Sequence, residues 1–569
     1  MEKFLLLAIN SKYIHSNLAV YCLKAATEYS DRVCIKEYTI NNHADDILKG
    51  IYEEQPDVIG ISCYIWNIDY VMKLLPEIDK VMPDVSVWLG GPEVSYNAEY
   101  YINKYSNVAG VMCGEGELTF RALMDCYVKG NVSDISEIPG IACMKDGNII
   151  VNKWPEPVNM DEIAMPYKVA GLDEEEYRNR IIYYESSRGC PFFCSYCLSS
   201  VDKKLRFKSL QKVFEDLQFF LDNRVPLVKF VDRTFNCKKE HARAIWKYIR
   251  DNDNGHTGFH FEISADILDD EDIDILKSMR PGLVQLEVGV QSVNRDTLNA
   301  IHRNMNLDVL KNNVKELIGN GNIHLHLDLI AGLPYEDMKS FKNSFDRIYS
   351  MCPHNLQLGF LKLLHGSLMR SEADRYGIVC RDYAPYEVLY TDCLTYGDVL
   401  ELKKVENVLD MYYNSRMFVA GLKYLVGFYE SAFDMYREFG TYYCNRYPDG
   451  SLPSRNNKYS LLYEFASGIM DNDELAVMAD LLKYDMLLRD NVKTYPAFME
   501  PSAKMREDAR RYVEKGRTKA EHVEIFNLDV PHYIKTGDII KKETPVHFDY
   551  LTRTIMDNNA SVRIMEDLQ

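Results

Sequence analysis

The sequence predicts an α/β protein of three parts: a doubly wound parallel sheet, an open barrel of six parallel strands, and a mainly helical C-terminal domain. The first two follow from two successive regions in which short apolar, β-rich runs alternate with amphipathic helical segments, because this alternation builds parallel sheets with crossover helices. The third follows from apolar stripes at helical spacing beyond about residue 386. We expect the three domains at 1–135, 179–380 and 381–569, with a linker at 136–178.

The first domain contains five apolar runs that we predict as strands, at 4–9, 33–38, 58–63, 85–89 and 108–112. Helical patterns lie between or after them, at 18–29, 44–54, 70–81 and 118–127. Ligands of a doubly wound sheet bind at the loops that follow its strands. The candidate residues on these loops are Asn10, Lys12, Tyr13, His15, Ser62, Tyr64, Gly90, Gly91, Glu93, Gly114 and Glu115.

The second region contains six runs that we predict as parallel strands, at 181–187, 226–232, 259–265, 283–290, 324–330 and 356–364. Helical patterns such as 210–222 and 269–279 separate them. A parallel barrel binds its ligand at the C-terminal ends of the strands. Polar or glycine residues stand at or near most of these ends: Asp232, Ser264, Asp266, Glu287, Gln291 and Gly332.

Three cysteines in the loop after the first barrel strand carry the most specific signal. Cys190, Cys194 and Cys197 can bind three corners of an iron–sulfur cube and leave the fourth iron open for a substrate. Gly189 and Pro191 suit the tight loop that such a cluster requires. A zinc site is the alternative. Zinc usually takes four ligands at short spacing, and the next candidates in the sequence, Cys237 and His241, lie far from the loop.

The segment from Ser187-Arg188-Gly189-Cys190 through Cys197 resembles the cluster loop of the radical S-adenosylmethionine (SAM) superfamily. The resemblance implies a [4Fe-4S] cluster whose open iron chelates SAM and whose electron cleaves SAM to a 5′-deoxyadenosyl radical. It also implies that the strand-end residues contact SAM, with Tyr196 beside the adenine and Arg303 a candidate for a carboxylate. A solvated charge at a helix end is our preferred interpretation of Arg303. The implied SAM residues are Tyr196, Asp232, Ser264, Asp266, Glu287, Gln291, Gly332 and Leu363.

The loops of the first domain, above all Gly90-Gly91-Pro92-Glu93 and Gly114-Glu115-Gly116-Glu117, resemble the cobalamin-binding domain that precedes many radical SAM barrels. No G-x-G-x-x-G or G-x-x-x-x-G-K-[ST] motif supports a dinucleotide or P-loop site instead. The D-x-H-x-x-G signature that supplies a histidine to cobalt is also missing. The resemblance therefore implies bound cobalamin (B12) without a histidine as its lower ligand.

The last third of the chain offers no chemistry of its own. It resembles the extra C-terminal domain of an uncharacterised branch of the cobalamin-type radical SAM proteins, and we expect it to be mainly helical up to about residue 491 and less regular beyond. Pro139-Gly140, Pro155 and Pro157 indicate an extended linker between the first two domains.

Composition restricts the partners and the compartment. A net charge of −19 over 569 residues argues against nonspecific binding to nucleic acid or to an anionic membrane. The 14 cysteines, without a signal peptide or an apolar run near 18 residues, predict a cytoplasmic protein. Lys203, Lys204, Arg206 and Lys208 follow the cluster loop, and we favour a solvated helix entrance over contact with a phosphate or nucleic acid.

We therefore predict an enzyme in which a cluster, SAM and cobalamin meet at the barrel mouth and a methyl group is transferred to an unactivated carbon of an unknown substrate. A flavodoxin- or ferredoxin-type reductant is the implied partner. A radical rearrangement or ring-forming enzyme and a methylthiotransferase, which needs three further cluster cysteines in the first domain, remain alternatives. A sensor of cobalamin or of the cluster is the alternative without catalysis, and the polar strand ends argue against it.

Overall fold

A computed structural model describes residues 2–172, 174–201, 204–512 and 520–565. The predicted α/β architecture of three parts is confirmed. Five parallel strands form the first sheet in the order β2-β1-β3-β4-β5, and all seven residues of β1 are buried, as expected for a central strand covered on both faces. The strand order reverses between β1 and β3, which is where doubly wound folds bind ligands. The elements are β1 Phe4–Asn10, α1 Leu18–Ala25, β2 Val33–Thr39, α2 Ala44–Glu54, β3 Val58–Ser62, α3 Ile68–Val81, β4 Ser86–Gly90, α4 Pro92–Ser95, α5 Ala98–Lys104, β5 Val108–Met112 and α6 Gly116–Lys129.

The segment that we expect to be an extended linker is partly folded onto this sheet. Strands β6 Ile141–Lys145 and β7 Asn148–Val151 form an antiparallel hairpin at the edge beside β5. Asp146 and Gly147 turn the chain with φ values of 49° and 80°, and Asp-Gly between β-prone residues is a strong hairpin signal that the linker prediction overlooks. Two short helices, α7 Pro166–Ala170 and α8 Glu174–Arg178, then lead to the barrel.

The second domain is the predicted open barrel, with six parallel strands in the order β15-β14-β13-β12-β11-β8. Residues of β13 and β14 alternate between buried and half-buried, so one face packs against the helices and the other lines the lumen. The elements are β8 Ile181–Tyr184, β9 Ser187–Arg188, β10 Arg206–Phe207, α9 Leu210–Asp222, β11 Leu227–Phe230, α10 Lys239–Asp251, β12 Gly258–Ile263, α11 Asp270–Lys277, β13 Val284–Gln291, α12 Arg295–Ala300, α13 Leu307–Asn320, β14 His324–Ala331, α14 Met338–Tyr349 and β15 Asn355–Phe360.

The first domain contacts both edges of the open barrel. Beside β8, the Ser16 hydroxyl donates to the Ile181 carbonyl at 3.1 Å. Beyond β15, the Tyr386 hydroxyl donates to Glu93, which is 5% exposed. The ligand edge of the first sheet therefore lies against the gap between the first and sixth barrel strands.

The C-terminal domain begins with a two-stranded hairpin and is then helical, as predicted, but its tail is more regular than the sequence suggests. A three-stranded antiparallel sheet, in the order β18-β19-β20, packs against α20. No helix in the described part of the chain has the length and apolar character needed to cross a bilayer. The elements are α15 Leu368–Ser371, β16 Val379–Cys380, β17 Val388–Tyr390, α16 Tyr396–Val408, a π-helical turn at Leu409–Asn414, α17 Val419–Val426, α18 Ala432–Arg446, α19 Arg455–Ala466, α20 Asn472–Arg489, α21 Ala503–Arg511, β18 Glu521–Leu528, α22 Val530–Thr536, β19 Lys541–Arg553 and β20 Ala560–Ile564.

Candidate functional site at the barrel mouth

The cysteine loop joins β9 to β10, which pair antiparallel and close its two ends. Gly189 has φ +88°, and a Cβ there would stand 2.7 Å from the Lys204 carbonyl oxygen, so the two ends of the loop approach as closely as glycine allows. Cys194 is buried, whereas Cys190 and Cys197 are half-buried. The loop is therefore a constrained turn that presents sulfurs of unequal exposure.

Backbone hydrogen bonds attach the loop to two other barrel segments. The Ser195 amide donates to the Ile301 carbonyl at 3.0 Å, and the Met369 amide donates to the Ser195 carbonyl at 2.8 Å. A cavity of ≈ 750 Å³ opens beside the loop, between Phe193 and Arg370 among others. No strand residue of the barrel lines this cavity, so it lies outside the lumen.

Asp232 lies beneath the loop rather than in the open mouth. Its carboxylate accepts hydrogen bonds from the Ser186 amide at 2.9 Å and from the Ser186 and Ser187 hydroxyls, both at 2.6 Å. It is 1% exposed, and burial raises its pKa to about 6 despite these hydrogen bonds. The SAM contact that we expected from Asp232 conflicts with this geometry, because its oxygens already bind the strand end that leads into the cysteines.

The geometry separates the cluster hypothesis from the zinc hypothesis. Nowhere in the described ranges do three His, Cys, Asp or Glu side chains converge as ligands of one ion. His241 is within 3.3 Å of the Ser186 hydroxyl, and burial lowers its pKa to about 4. A cube, by contrast, takes each cysteine at a separate corner, and cluster sulfurs accept hydrogen bonds. The Arg303 guanidinium provides one such donor, 3.6 Å from the Cys194 sulfur, so these residues fit the cluster.

Arg303 is not the solvated charge that we preferred. One of its terminal nitrogens donates to the Gly289 carbonyl and the other points at Cys194. The half-buried Tyr196 is close to the same groups. Burial raises the pKa of its hydroxyl, while the charge of Arg303 acts in the opposite direction. Arg303 therefore connects the end of β13 to the cysteine loop, a contact that no local pattern in the sequence reveals.

Two of the predicted SAM residues form a pair at the end of β12. The Ser264 hydroxyl donates to Asp266 at 2.7 Å, and the other Asp266 oxygen accepts from the Asn306 amide at 3.0 Å. On the next strand, the side-chain oxygen of Gln291 is buried without a hydrogen-bond partner, which is the character expected of a group that meets a ligand.

Glu287 lies inside the lumen and is already paired. Its carboxylate accepts from Lys229 at 3.0 Å and is 2.9 Å from His260. Burial disfavours its ionised form, but the hydrogen bond from His260 and the attraction and hydrogen bond of Lys229 outweigh burial and lower its pKa to about 2. Lys229 and His260 are absent from the residues predicted from the sequence, although both stand at lumen-facing positions of predicted strands.

Asp328 is a third lumen residue that is absent from the predicted set. Burial, together with the nearby carboxylates Glu287 and Glu262, raises its pKa to about 8, and one of its oxygens has no hydrogen-bond partner. Among the carboxyl groups of the lumen, Glu287 is therefore held ionised, whereas burial favours the protonated form of Asp328.

Two further predicted SAM residues pack against protein. A Cβ at Gly332, which has φ +87°, would stand 2.7 Å from Val388 Cγ1, so the close backbone approach is to β17. Leu363 is 3% exposed, and its amide donates to the Tyr386 carbonyl at 3.0 Å. These contacts favour a packing role for both residues.

The loop after β1 is built around Asn10 and His15. The side-chain NH₂ group of Asn10 donates to the His15 carbonyl and to Glu37, both at 3.0 Å. His15 Nδ1 is 2.8 Å from the Tyr183 hydroxyl of β8. Burial lowers the pKa of His15. Both residues thus fix the loop against the barrel, whereas Lys12 and Tyr13 are exposed.

The loops after β3 and β4 present an open face. Ser62 accepts from Asn17 at 3.3 Å and is 9% exposed, whereas Tyr64 is half-buried and stacks on Trp66 at 4.3 Å between ring centroids. Gly90 and Gly91 lie beside this face. Gly91 has φ +110°, and a Cβ there would stand 2.4 Å from the Cys63 carbonyl oxygen, so only glycine fits.

Two carboxylates that we expected to contact cobalamin bind the other domains instead. Glu93 accepts from Tyr386, and Glu115 pairs with Arg206 and, at 3.3 Å, with Arg188. Gly114 keeps φ +83°, with Trp154 packed 3.0 Å from the position of its missing Cβ. The sequence signal for a ligand loop is therefore partly a signal for a domain interface.

The basic residues after the cysteine loop are held by acidic partners. Lys208 is 7% exposed and lies 3.1 Å from Asp216, and Lys204 lies 3.7 Å from Glu156. Lys203 lies outside the described residues. The expected solvated helix entrance is thus wrong for Lys208, and these pairs argue against a nucleic acid surface.

Three known families match successive parts of the chain. The B12 binding domain family matches residues 5–124, the radical SAM superfamily matches residues 184–348, and a family described as a protein of unknown function (DUF4080) matches residues 374–565.

Among curated proteins, the chain is similar to the cobalamin-dependent radical SAM methyltransferase TokK of Streptomyces tokunonensis, with 25% identity over 58% of this chain and 51% of the relative. It is 32% identical to the uncharacterized methyltransferase PH0819 of Pyrococcus horikoshii, over 35% of this chain and 44% of that protein. The chain thus spans about half the length of these relatives. A solved structure of the cobalamin-dependent SAM radical enzyme OxsB, with aqua-cobalamin and SAM bound, shares the fold at a TM-score of 0.58 and 14% identity, over 85% of this chain and 83% of that one.

Proposed function

We propose that this chain, a member of the radical SAM superfamily with an N-terminal B12 binding domain, is a cobalamin-dependent methyltransferase that acts on an unactivated carbon. The observation that carries the proposal is the position of the three-cysteine loop, at the mouth of an open six-stranded barrel whose gap lies against the ligand edge of the B12 binding domain. When bound, the cluster and SAM supply a carbon-centred radical, and cobalamin supplies the methyl group.

The protein's own contribution is to bind and to orient these groups. Cys190, Cys194 and Cys197 would bind the cluster, and Arg303 would direct a positive charge and a hydrogen bond at one of its sulfur ligands. This contact favours the electron-rich state of the cluster, because a nearby cation stabilises added negative charge. Asp232 holds the strand end beneath the loop in place.

SAM would be held at the strand ends beside the loop. We assign Tyr196, Ser264, Asp266 and Gln291 to this contact, since they lie at the barrel mouth and Gln291 keeps an unpaired acceptor there. Glu287, which pairs with Lys229, would lie in the lumen below the bound SAM.

Cobalamin would lie on the open face formed by the loops of the first domain. Gly90 and Gly91 lie at this face, and Tyr64 provides an aromatic surface beside them. Lys12 and Tyr13 are exposed at the rim of this face. His15 already binds Tyr183, which supports binding without a histidine on cobalt.

The reaction requires a one-electron donor, for which we propose a flavodoxin- or ferredoxin-type protein. We place the enzyme in the cytoplasm, where 14 cysteines stay reduced. The methylthiotransferase alternative loses support, because Cys22 lies within helix α1 and Cys34 within strand β2, not together on one loop as Cys190, Cys194 and Cys197 do.

The test is anaerobic reconstitution of the full chain with iron, sulfide and hydroxocobalamin, followed by metal analysis, an absorption spectrum and a product assay with SAM. We expect cobalamin absorption, about four iron atoms per chain, 5′-deoxyadenosine and S-adenosylhomocysteine. Replacing Cys190, Cys194 or Cys197 with alanine should abolish iron binding and both products, whereas Cys352→Ala, at an exposed cysteine, should change neither.

The products distinguish the alternatives. Deoxyadenosine without S-adenosylhomocysteine would favour the rearrangement or ring-forming enzyme over methyl transfer. An intact cluster that yields neither product would favour the sensor. Unchanged iron content in all three cysteine variants would refute the site itself.

A further inference from the structure

A buried ionic cluster joins the first domain to the two short strands that close the cysteine loop. Arg188, on β9, contacts Glu115 at 3.3 Å, Glu117 at 2.5 Å and Glu185 at 2.9 Å. Arg206, on β10, pairs with Glu115. Glu115 and Glu117 belong to the B12 binding domain, where Glu115 precedes α6 and Glu117 lies in its first turn, so this cluster crosses the domain boundary.

The register of β9 and β10 places the two arginines of this cluster side by side. Arg188 and Arg206 are directly opposite partners in the antiparallel pair. Like charges in this position repel each other and destabilise the pairing. Their side chains are only 14% and 18% exposed, so water screens the repulsion poorly.

Glu115 is the group that reaches both arginines. One of its carboxylate oxygens is 3.3 Å from Arg188 and 3.1 Å from Arg206, and its other oxygen also accepts from Arg206. The same carboxylate accepts from the Val158 amide at 3.2 Å. These arginines hold the pKa of Glu115 below its usual value although burial acts in the opposite direction.

We propose that Glu115 is a positioning residue that locks the cysteine loop from the first domain, by bridging the two opposed arginines that close the loop. Glu117 and Glu185 also balance the charge of Arg188, whereas Glu115 is the carboxylate of this cluster that pairs with Arg206 as well. Without the charge of Glu115 the bridge is lost, the Arg188–Arg206 pairing is disfavoured and the loop opens at its base. The loop then holds the bound cluster less tightly. The inference rests on the proposed function only in so far as the loop binds the cluster, and it replaces the expected role of Glu115 as a cobalamin contact with that of a lock on the cluster loop.

The variant Glu115→Gln removes the charge and keeps the shape. Glu115 precedes α6, and its side chain makes no capping hydrogen bond, so the helix start is unaffected. Glu137→Gln is the matched control, because Glu137 pairs with Lys145 on the surface of the same region. The double variant Glu115→Gln/Arg206→Gln removes the opposed charge as well.

The first readout is the rate at which a strong iron chelator removes iron from the reconstituted full chain. We expect Glu115→Gln to lose iron about tenfold faster, as an opening equilibrium shifted by about 1.4 kcal/mol requires. The double variant should return to within about twofold of wild type. Glu137→Gln should match wild type.

The second readout does not depend on a cluster. In the full chain as purified without added iron, alkylation followed by mass spectrometry reports the exposure of Cys194, with the buried Cys63 and the exposed Cys352 as internal references. Glu115→Gln should accelerate alkylation of Cys194 but not of Cys63 or Cys352, and the double variant should reverse this. The melting temperature should change little, because the effect is local.

The two readouts separate this proposal from the proposed function. If wild type takes up no iron, the proposed function fails, while the alkylation result still tests the lock. Equal Cys194 alkylation in Glu115→Gln and wild type would overturn the lock. So would a double variant as reactive as Glu115→Gln, because a role in general domain packing is not repaired by removing Arg206.

Discussion

Replacing Asp232 with asparagine tests whether the support beneath the cysteine loop needs a charge or only hydrogen-bond acceptors. Asp232 accepts from one amide and two hydroxyls, and it is 1% exposed. Asparagine can keep its oxygen towards the Ser186 amide while its NH₂ group donates to the two hydroxyls, which can rotate to accept. The geometry therefore tolerates the exchange.

The expected change in the free energy of unfolding follows from the raised pKa of Asp232. The pKa rises from 3.8 to about 6 on folding because burial disfavours the carboxylate. A difference of about two units corresponds to about 3 kcal/mol. Because the raised pKa belongs to an acid, the protonated form contributes this stability fully below pH 3.8, and it is lost as the pH rises towards 6.

Asp232→Asn should therefore be at least as stable as wild type at pH 8, by up to about 3 kcal/mol, and the difference should shrink to near zero at about pH 4. Asp232→Ala should be about 1–3 kcal/mol less stable than Asp232→Asn, because it removes the same charge but leaves the buried Ser186 amide without an acceptor.

The assay is denaturant unfolding of the full chain without added iron, at several pH values between 4 and 8, for wild type and both variants. Differences between variants are informative even when the unfolding of several domains overlaps. Equal losses for Asp232→Asn and Asp232→Ala at pH 8 would refute the reasoning, since they would show that the buried negative charge itself stabilises the loop.

Two further substitutions test the sites around this loop. Gly91→Ala places a Cβ 2.4 Å from the Cys63 carbonyl oxygen at φ +110°, so we expect a loss of at least about 2 kcal/mol and much weaker cobalamin binding, measured by unfolding and by absorption titration, whereas Gly130→Ala, in open space at φ +73°, should bind normally. Arg303→Met removes the donor 3.6 Å from the Cys194 sulfur, so the cluster potential should fall by some tens of millivolts in anaerobic titration. An unchanged potential would show that Arg303 does not act on the cluster.

The strands were predictable because buried parallel strands are apolar on both faces, and the predicted run at 108–112 has the bounds of β5. The hairpin at 141–151 was missed although Asp146-Gly147 signalled it, because the prolines on either side favour an extended linker. The C-terminal sheet was missed because Pro531 closely follows its first strand and Pro545 stands inside its second strand, and proline argues against a strand.

The cysteine ligands were predictable from spacing alone, whereas their surroundings were not. A strand end such as Asp232 has the same sequence pattern whether its carboxylate faces a ligand or the neighbouring strand. Glu93 and Glu115 have the same ambiguity, because a glycine-flanked glutamate suits both a cofactor loop and a domain interface. Only the spatial partners, which come from distant parts of the chain, decide between these roles.

Those distant partners hold the three-cysteine loop from three sides. The loop is held from below by Asp232 of the neighbouring strand, from the side by Arg303 beyond β13, and from across the domain boundary by Glu115. Each contact is polar and directional, so it fixes orientation better than an apolar surface of the same area. In the proposed reaction a reactive radical must form close to its target and far from other bonds, so the cluster and the bound cobalamin must keep one relative position. The ionic link serves this requirement, because Glu115 belongs to the B12 binding domain and pairs with both arginines that close the cysteine loop.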